Sequence, residues 1–211
     1  MKTVLLPVKD FRNAKQRLVP AFDAAVRANL ARAMLTDVLA AVAQSTTPQR
    51  VIVFTASTEV AEMAGEYGFE AIVETLVNGH SAAVNLMVER LLATATQIFS
   101  IAGDLPKLRA EEIDFVMKNA IEPITILPSR DGTGTNGILF LPPARIQMEY
   151  GEGSFSRHMS KAAAAGHRAQ VLNIPGIAFD IDTPEDVQAF LDNPRQDGRT
   201  WRYLMSLRTW N

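Results

Sequence analysis

The chain has no cysteine among its 211 residues, which excludes disulfides, thiolate nucleophiles and cysteine-based zinc sites. It also has no marked excess of charge, because its net charge is −2, so a broad nucleic-acid-binding surface is not expected. No apolar run approaches the roughly 18 residues that cross a bilayer, and the apolar N-terminal stretch is too short for a signal peptide. These absences predict a cytoplasmic protein with no nucleic-acid partner and no membrane association.

Short apolar runs alternate with amphipathic stretches along the chain, and apolar residues make up 47% of the total. The runs have the length of strands, and the stretches repeat apolar residues at the three- and four-residue steps of a helix. Strands are predicted at Val4–Leu6, Arg50–Thr55, Glu70–Val73, Ile98–Ala102, Ile124–Leu127, Ile138–Leu141, Ala169–Ile174 and Ala178–Ile181. Helices are predicted at about Ala24–Ala43, Glu59–Tyr67, Ala82–Thr94, Ala110–Ala120, Phe155–Ala165 and Pro184–Leu191.

This alternation predicts an α/β fold, a three-layer sandwich with helices on both faces of a mixed, mostly parallel sheet. The strands between residues 124 and 141 have no helix between them, which favours an antiparallel insertion. Asp37 alone breaks the apolar face of the longest helix. We expect residues 1–192 to form the main domain and residues 193–211 a tail. The two tryptophans of this tail, Trp201 and Trp210, predict docking on the same domain or on a second subunit in a homodimer.

Three aspartates predict a metal site. Asp180 and Asp182 alternate with apolar residues around the predicted strand Ala178–Ile181, so both side chains leave the same face of an extended backbone. Asp104 follows the predicted strand that ends at Ala102. Ligands of open α/β sheets collect beyond the carboxyl ends of the strands, and carboxylates at strand edges are costly to bury unless they bind a cation. A metal at this edge would in turn indicate phosphate chemistry.

Polar loops after other strands add groups that could bind an anion. The loop after the first strand has four cations that suit a triphosphate or an acidic substrate: Lys9, Arg12, Lys15 and Arg17. The glycine-bearing segments 129–137 and 150–158 expose backbone N–H groups, and the second opens a helix. Each loop has a simpler interpretation: the first as a solvated basic loop, the second as a β-turn, and Ser154 in the third as only a helix N-cap.

The three histidines, His80, His158 and His167, lack the spacing of a zinc site. We expect none of them to be catalytic, although His158 is close to the glycine-bearing loop and could touch an acidic ligand. The chain has no Ser-His-Asp set and no nucleophile elbow. Hydrolysis through a protein nucleophile is therefore not expected.

Six segments, taken in order, resemble the 2-phospho-L-lactate and phosphoenolpyruvate guanylyltransferases of coenzyme F420 biosynthesis. They span residues 4 to about 190, and the ordered set is more specific than any one of its members. The segments are Pro7–Lys9 with Ala14–Leu18, Ala33–Leu39, Gly103–Pro106, Asp131–Asn136, Gly151–His158 and Asp180–Pro184.

The resemblance implies a Rossmann-like nucleotidyltransferase fold of the glycosyltransferase-A type. It also implies transfer of GMP from GTP to a small phosphorylated carboxylic acid with release of pyrophosphate. The catalytic residues would be Lys9, Asp104, Asp180 and Asp182, of which the three aspartates would hold Mg²⁺ and Lys9 the acceptor's phosphate. The acceptor's carboxylate would be received by Thr135, Gly151 and Ser154, mainly through their backbone groups. The nucleotide would be bound by the basic-loop residues Lys15 and Arg17 and by Asn85, which matches a family asparagine.

The acceptor and the base stay open from the sequence. The acceptor could be 2-phospholactate, phosphoenolpyruvate or 3-phosphoglycerate, which differ by one or two atoms whose discrimination depends on pocket shape. A transferase of the same fold that uses CTP, or another phospho-acid or phosphonate, is the first alternative. A non-catalytic nucleotide-binding protein is the second, although three mutually repelling aspartates would serve such a protein poorly.

Overall fold

A computed structural model describes residues 1–74 and 79–207 of the chain. In this part, seven strands form one sheet: β1 (Lys2–Val8), β2 (Arg50–Thr55), β3 (Glu70–Val73), β4 (Gln97–Ile101), β5 (Ile124–Pro128), β6 (Thr135–Phe140) and β7 (Ala169–Val171). The helices are α1 (Ala24–Gln44), α2 (Thr58–Glu66), α3 (His80–Leu91), α4 (Ala110–Asn119), α5 (Ser154–Ala164), α6 (Pro175–Ala178), α7 (Pro184–Asp192) and α8 (Arg199–Ser206). None of the helices in these ranges is long and apolar enough to cross a membrane.

The sheet has the strand order β3-β2-β1-β4-β6-β5-β7. Strand β6 is antiparallel to both of its neighbours, β4 and β5, whereas the other pairings within the described residues are parallel. The predicted mixed, mostly parallel sheet is therefore confirmed, and the reversed strand lies in the region between residues 124 and 141 where no helix was expected. Because β6 is reversed, its first residues lie at the same sheet edge as the carboxyl ends of β1 and β4.

Apolar residues bury both faces of the sheet, as the predicted layering requires. One core packs α1, α2, α4 and α7 against side chains such as Val4, Leu6 and Phe99. The other packs α3 and α5 against Leu5 and Phe140. Neighbouring residues of β1 thus point into opposite cores, because successive side chains of a strand alternate between its faces.

The predicted strand Ala178–Ile181 is wrong. The chain instead forms the short helix α6 and then runs extended but unpaired through Phe179–Asp182. The alternation that suggested a strand persists, since Phe179 and Ile181 are buried while Asp180 and Asp182 are partly exposed. Extended chain becomes a strand only beside a free sheet edge, and β6, which lies next to this segment, is already paired on both sides.

The tail docks on its own domain through a buried carboxylate. Asp37 of α1 is only 4% exposed. It accepts hydrogen bonds from the backbone N–H groups of Arg199 and Thr200, at 2.6 and 2.9 Å, and from the Thr200 hydroxyl at 2.7 Å. Asp37 therefore satisfies the free N–H groups at the start of α8, which explains its place on an apolar helix face. Trp210 lies outside the described residues, and contact with a second subunit remains a prediction.

Replacing Asp37 by alanine is expected to lower the free energy of unfolding by about 2–3 kcal/mol, because buried donors of α8 would lose a charged acceptor. Urea unfolding measures this loss, and limited proteolysis should release the tail faster. Asp192→Ala is the matched control, since Asp192 is exposed and is contacted only by Gln188 of its own helix α7 among the described residues. A loss for Asp37→Ala no larger than the loss for Asp192→Ala would contradict the anchoring role.

Candidate active site

A cavity of about 1080 Å³ opens at the sheet edge where β1 and β4 end and β6 begins. The loops after β1 and β4, the turn before β6, the start of α5 and the extended segment after α6 all contribute to its wall. Nine of the ten predicted site residues line it: Lys9, Lys15, Arg17, Asp104, Thr135, Gly151, Ser154, Asp180 and Asp182. The fold therefore brings together residues that are up to 173 positions apart in the sequence, from residue 9 to residue 182.

Lys15 lies between two of the three aspartates. Its ammonium Nζ is 2.6 Å from Asp104 Oδ2 and 2.8 Å from Asp182 Oδ1. The Lys15 side chain is only 6% exposed, whereas the two carboxylates are about 40% exposed, at 38% and 42%. Burial alone would lower the pKa of Lys15, but the charges and hydrogen bonds of Asp104 and Asp182 outweigh it and raise the pKa above the ordinary value. Lys15 is therefore a fixed positive charge at the centre of the cleft.

The backbone at Lys15 is strained. Among the described residues other than glycine, Lys15 alone has a positive φ, of 52°. A residue with a Cβ pays about 1–2 kcal/mol for this left-handed conformation, which persists only where the surroundings hold it. Arg27 of α1 provides such support, because its guanidinium donates to the carbonyl oxygens of Ala14 and Phe22, at 3.4 and 2.8 Å. The unfavourable backbone conformation indicates that the contacts of the Lys15 side chain with Asp104 and Asp182 outweigh its energetic cost.

Asp180, the third aspartate, is held by Asn136 at the start of β6. The Asn136 amide donates to the carbonyl oxygens of Ile177 and Ala178, at 3.0 and 3.3 Å, and to Asp180 Oδ1 at 3.4 Å. Burial and the negative charges of Asp104 and Asp182 raise the pKa of Asp180 to about 6. Asn136 belongs to the segment Asp131–Asn136 that resembles the family. The sequence does not indicate that it fixes the segment that carries Asp180.

The fit of these residues to Mg²⁺ can be judged from the structure. Across residues 1–74 and 79–207, no three His, Cys, Asp or Glu side chains stand close enough together to hold a metal ion. The donor set nevertheless suits Mg²⁺, which takes one or two carboxylates and completes its shell with substrate phosphates and water. Moreover, a cation already stands between two of these carboxylates in the form of the Lys15 ammonium. The role of Asp104, Asp180 and Asp182 as metal ligands stays a prediction.

The metal-free protein should be more stable as Asp180→Asn than as wild type at pH 8. The folded-state pKa of about 6 lies above the ordinary 3.8, so the contribution of Asp180 to stability is present below about pH 4 and is lost as the pH rises through 6. At pH 8 the lost contribution is up to roughly 3 kcal/mol. Thermal unfolding with a chelator at pH 4 and pH 8 measures it, and Asp192→Asn serves as the control. Equal melting temperatures of Asp180→Asn and wild type at pH 8 would contradict the repulsion between Asp180 and the other two aspartates.

Lys9 and Arg17 provide positive charge at the mouth of the cleft. Both side chains line the cavity and are exposed. Neither forms an ion pair with any residue in the described ranges. By contrast, Arg12 of the same loop pairs with Asp10 at 2.7 Å and does not line the cavity. Lys9 and Arg17 are thus the cations of this loop whose charge is available to an anionic ligand.

The turn before β6 is held in shape by Asp131. Its carboxylate accepts hydrogen bonds from the hydroxyls of Ser129 and Thr133, at 2.6 and 2.7 Å, and from the Thr133 N–H at 3.0 Å. The Ser129 hydrogen bond and those from Thr133 lower the pKa of Asp131 to about 2. The Ser129 hydroxyl oxygen also accepts from the Gly134 N–H at 2.7 Å. These contacts order the turn that leads into Thr135. The turn therefore fixes the position of Thr135 in addition to connecting two strands.

The loop before α5 places Gly151 and Ser154 on the opposite wall. Gly151 and Gly153 have φ values of 116° and 70°, which residues with a side chain rarely adopt. Arg157 of α5 holds this loop, since its guanidinium donates to the carbonyl oxygen of Glu152 at 2.6 Å. Ser154 begins α5 and is buried at 1% exposure while still lining the cavity. A carboxylate placed here would face the positive end of the helix.

Asn85 is the predicted site residue that does not line the cavity within the described part of the chain. Its side chain instead pairs with one backbone unit, because its amide nitrogen donates to Met148 O at 2.9 Å and its oxygen accepts from Met148 N at 2.7 Å. This contact fixes the approach to the loop that contains Gly151. The structure therefore assigns Asn85 a positioning contact, and direct binding of the nucleotide by Asn85 stays a prediction.

His158 was expected to be non-catalytic but close enough to the glycine-bearing loop to touch a ligand, and the structure places it directly behind the cleft. It is fully buried, with Nδ1 3.0 Å from the Thr135 hydroxyl oxygen and Nε2 2.9 Å from the Glu149 backbone nitrogen. Burial, with the nearby charges of Lys161 and Arg157, lowers its pKa to about 4. Its position four residues after Ser154 on α5, and so on the same helix face, was the available sequence signal.

A nucleotide-sized cleft at the carboxyl edge of a mostly parallel sheet, with aspartates and free cations around it, is the arrangement of a nucleotidyltransferase. The fold is shared with a crystal structure from Desulfovibrio desulfuricans described as a nucleotide-diphospho-sugar transferase. That structure superposes with a TM-score of 0.75, at 15% identity, over 98% of this chain and 95% of the other. This likeness concerns the fold alone.

The family model described as Guanylyl transferase CofC like matches residues 1–209, and the chain belongs to this family of nucleotidyltransferase enzymes. A phosphoenolpyruvate guanylyltransferase of Conexibacter woesei is 35% identical, with 88% of this chain and 85% of that protein covered. A 2-phospho-L-lactate guanylyltransferase of Methanothermobacter thermautotrophicus is 27% identical, with 89% and 83% covered. A 3-phospho-D-glycerate guanylyltransferase of Colwellia psychrerythraea is 28% identical, with 90% and 92% covered. The family expected from the sequence is thereby confirmed.

Proposed function

We propose that this protein transfers GMP from GTP to a small phosphorylated carboxylic acid and releases pyrophosphate, in a reaction that requires Mg²⁺. The acceptor would be phosphoenolpyruvate, 2-phospholactate or 3-phosphoglycerate, the three acids named for its relatives. The single observation that carries this proposal is the division of one cleft into two chemically different walls. One wall has Lys15, Arg17 and the three aspartates, and the other has Thr135, Gly151 and Ser154, while the cation Arg130 on that side is paired with Asp186.

The wall with the charges suits the triphosphate. Arg17 would neutralise part of the negative charge on GTP, and Lys15 would hold Asp104 and Asp182 beside the nucleotide. These two aspartates and Asp180 would hold the Mg²⁺ that accompanies GTP. When bound, Mg²⁺ would act as a Lewis acid that withdraws charge from the phosphate oxygens. The partial exposure of Asp104 and Asp182, at 38% and 42%, supports this role, because their oxygens remain accessible from the cleft.

The second wall, formed by the start of β6 and the loop before α5, suits the carboxylate of the acceptor. Thr135 and Ser154, which carry hydroxyl groups, line this wall together with Gly151, which has no side chain. Lys9, exposed at the mouth, would hold the acceptor's phosphate between the two walls. A ligand with a phosphate and a carboxylate a few bonds apart would engage both sets of groups at once.

The chemistry needs charge neutralisation and alignment more than a protein base. An oxygen of the acceptor's phosphate would form a new bond to the α-phosphorus of GTP, while the bond from that phosphorus to pyrophosphate breaks. The attacking phosphate is already ionised at neutral pH, so no proton has to be removed from it. The contribution of the protein is therefore positioning and electrostatic stabilisation, the two effects that dominate phosphoryl-type transfers.

The proposal is tested by mixing the purified protein with Mg²⁺, one nucleoside triphosphate and one acid. Pyrophosphate release is followed for GTP, ATP, CTP and UTP against the three acids, and the product is identified by mass. We expect release with GTP and at least one acid, together with a product whose mass equals GMP plus the acid less water. Release that does not depend on the acid would indicate hydrolysis, and faster release with CTP than with GTP would contradict the base assignment.

The pathway and the location belong to the same proposal. A guanosine-diphospho-acid is an activated intermediate, because its phosphoanhydride can be broken by a further acceptor. Coenzyme F420 biosynthesis, where the resembled enzymes act, is the pathway we propose for it, and the cytoplasm is the proposed location. Deletion of the gene, with F420 measured by its fluorescence in cell extracts, tests the pathway independently of the acceptor.

A further inference from the structure

His158 has a contact on each ring nitrogen, although it reaches no solvent. Its side chain is 0% exposed and belongs to α5, one helical turn after Ser154. Nδ1 lies 3.0 Å from Thr135 Oγ1, and Nε2 lies 2.9 Å from the backbone nitrogen of Glu149. The Tyr150 ring packs against the imidazole in a T-shaped arrangement, with the two ring centroids 5.7 Å apart. The ring is thus fixed in place on several sides.

The partner at Nε2 determines which nitrogen carries the proton. A backbone N–H group can only donate, so Nε2 must accept the hydrogen bond from Glu149 and cannot itself bear a hydrogen. A neutral imidazole then has its hydrogen on Nδ1, which donates to Thr135 Oγ1. The pKa of about 4 for His158, caused first by burial, keeps the ring neutral at physiological pH and is consistent with this tautomer.

This tautomer of His158 determines how the Thr135 hydroxyl can form hydrogen bonds. Because its oxygen accepts from His158, its own hydrogen must point elsewhere, and within the described residues His158 is the hydrogen-bond partner of this hydroxyl. Thr135 is 7% exposed, and the surface that it retains lines the cleft. A ligand atom that meets this hydroxyl will therefore meet a donor whose orientation is already set.

We infer that His158 is a positioning residue that commits the Thr135 hydroxyl to donate into the cleft, so that this wall selects an anionic oxygen of the ligand. The identity of that oxygen as the acceptor's carboxylate rests on the proposed function. Ser154 lies on the same face of α5 as His158, since residues four apart share a helix face. Ser154, which lines the cleft, and His158, which orients the Thr135 hydroxyl, therefore lie one turn apart on the same helix.

Two substitutions separate the contacts of His158. In His158→Gln, the side-chain oxygen reaches the place of Nε2 and can still accept from Glu149, but no donor is left for Thr135. In His158→Asn, the shorter amide places its nitrogen near Nδ1 and can still donate to Thr135. Thr135→Val removes the hydroxyl at nearly constant volume, and Thr135→Ser retains it. Circular dichroism and thermal unfolding establish that each variant is folded.

Binding is measured by titration calorimetry in the presence of Mg²⁺ without GTP, with phosphoenolpyruvate, 2-phospholactate and 3-phosphoglycerate as probes. Ethyl phosphate, which lacks the carboxylate, is the control ligand. For the acid that wild type binds best, His158→Gln and Thr135→Val should each weaken binding by about tenfold. His158→Asn and Thr135→Ser should stay within about twofold of wild type, as should ethyl phosphate with every variant. The double variant His158→Gln/Thr135→Val should bind no more weakly than Thr135→Val alone, because both changes remove the same donor.

Nitrogen-15 NMR of the histidine rings reads the tautomer without any substrate. We expect His158 to be neutral with its hydrogen on Nδ1 at pH 7, and a hydrogen on Nε2 would overturn the proposal. Equal weakening of acid binding by His158→Gln and His158→Asn would also overturn it, as would equal weakening for ethyl phosphate. Failure of all three acids to bind wild type would overturn the ligand assignment. If an acid binds but no transfer occurs, the proposed function fails while these measurements still decide the role of His158.

Discussion

Replacing Asp104 by asparagine is expected to reduce guanylyl transfer about 1,000-fold and to leave the protein folded. The variant removes one negative charge from a group that faces the cleft, and single groups that act on charge in the transition state are typically worth about 10²–10³ in rate. Asp104 is partly exposed, and Lys15 would keep its second partner, Asp182. The amide can still accept a hydrogen bond from Lys15, so we expect only a small change in thermal stability.

The rate is measured as pyrophosphate release with saturating GTP and the best acid, over a range of Mg²⁺ concentrations. If Asp104 holds the ion, the variant should need at least tenfold more Mg²⁺ to reach half of its own maximal rate. Asp192→Asn is the control, because it removes the same charge from an exposed position outside the cleft. Activity of Asp104→Asn within threefold of wild type, at every Mg²⁺ concentration, would remove Asp104 from the catalytic assignment.

Replacing Lys15 by methionine is expected to reduce transfer at least 100-fold and to destabilise the metal-free protein by about 2 kcal/mol. Removal of one partner from a buried ion pair costs about 3–5 kcal/mol, and the partial exposure of Asp104 and Asp182 reduces this figure. Without the ammonium the two carboxylates repel each other. Mg²⁺ should therefore stabilise the variant more than it stabilises wild type, since in wild type Lys15 already compensates both charges.

Thermal unfolding with a chelator and with excess Mg²⁺ measures this difference, and Lys9→Met is the matched control. Lys9 is exposed and has no ion pair in the described part of the chain, so its replacement should leave the melting temperature unchanged while it weakens binding of the acceptor. If Mg²⁺ raises the melting temperature of Lys15→Met no more than that of Lys9→Met, Lys15 does not compensate the charges of Asp104 and Asp182.

Most of the fold could be predicted from the sequence because the local pattern and the tertiary environment agree. Strand β2 and strand β3 begin and end at the predicted residues, since short apolar runs between polar turns leave little choice. Residues Phe179–Asp182 were misassigned for a physical reason: alternation reports which side chains are buried, not whether a neighbouring strand is free to pair. The pairing of β6 with both β4 and β5 decides that question, and it depends on the whole sheet.

The sequence was sufficient to predict which residues form the candidate site, but not how they contact one another. Proximity to strand ends indicated which loops converge, the family resemblance indicated individual residues within them, and nine of these residues line one cavity. The contacts among them could not be predicted, because Lys15 meets Asp104 across 89 positions and Asp182 across 167. The carboxylates were expected to face a metal, and the sequence contains no sign that a lysine of the basic loop lies between two of them. A direct contact between His158 and a ligand was considered from its place near the glycine-bearing loop, whereas the structure shows a contact with Thr135 that the sequence does not indicate.

The reversed strand β6 sets the spacing between the two halves of the cleft. Its first two residues, Thr135 and Asn136, lie where the pairing of β6 with β5 shifts register, between Leu127 and Pro128. One turns toward His158 and the other toward Asp180. Because Thr135 and Asn136 are adjacent, the peptide bond between them links the wall that contains Thr135 to the wall that contains Asp180. A one-residue slip of this strand would redirect both side chains, and so separate Thr135 from His158 and Asn136 from Asp180.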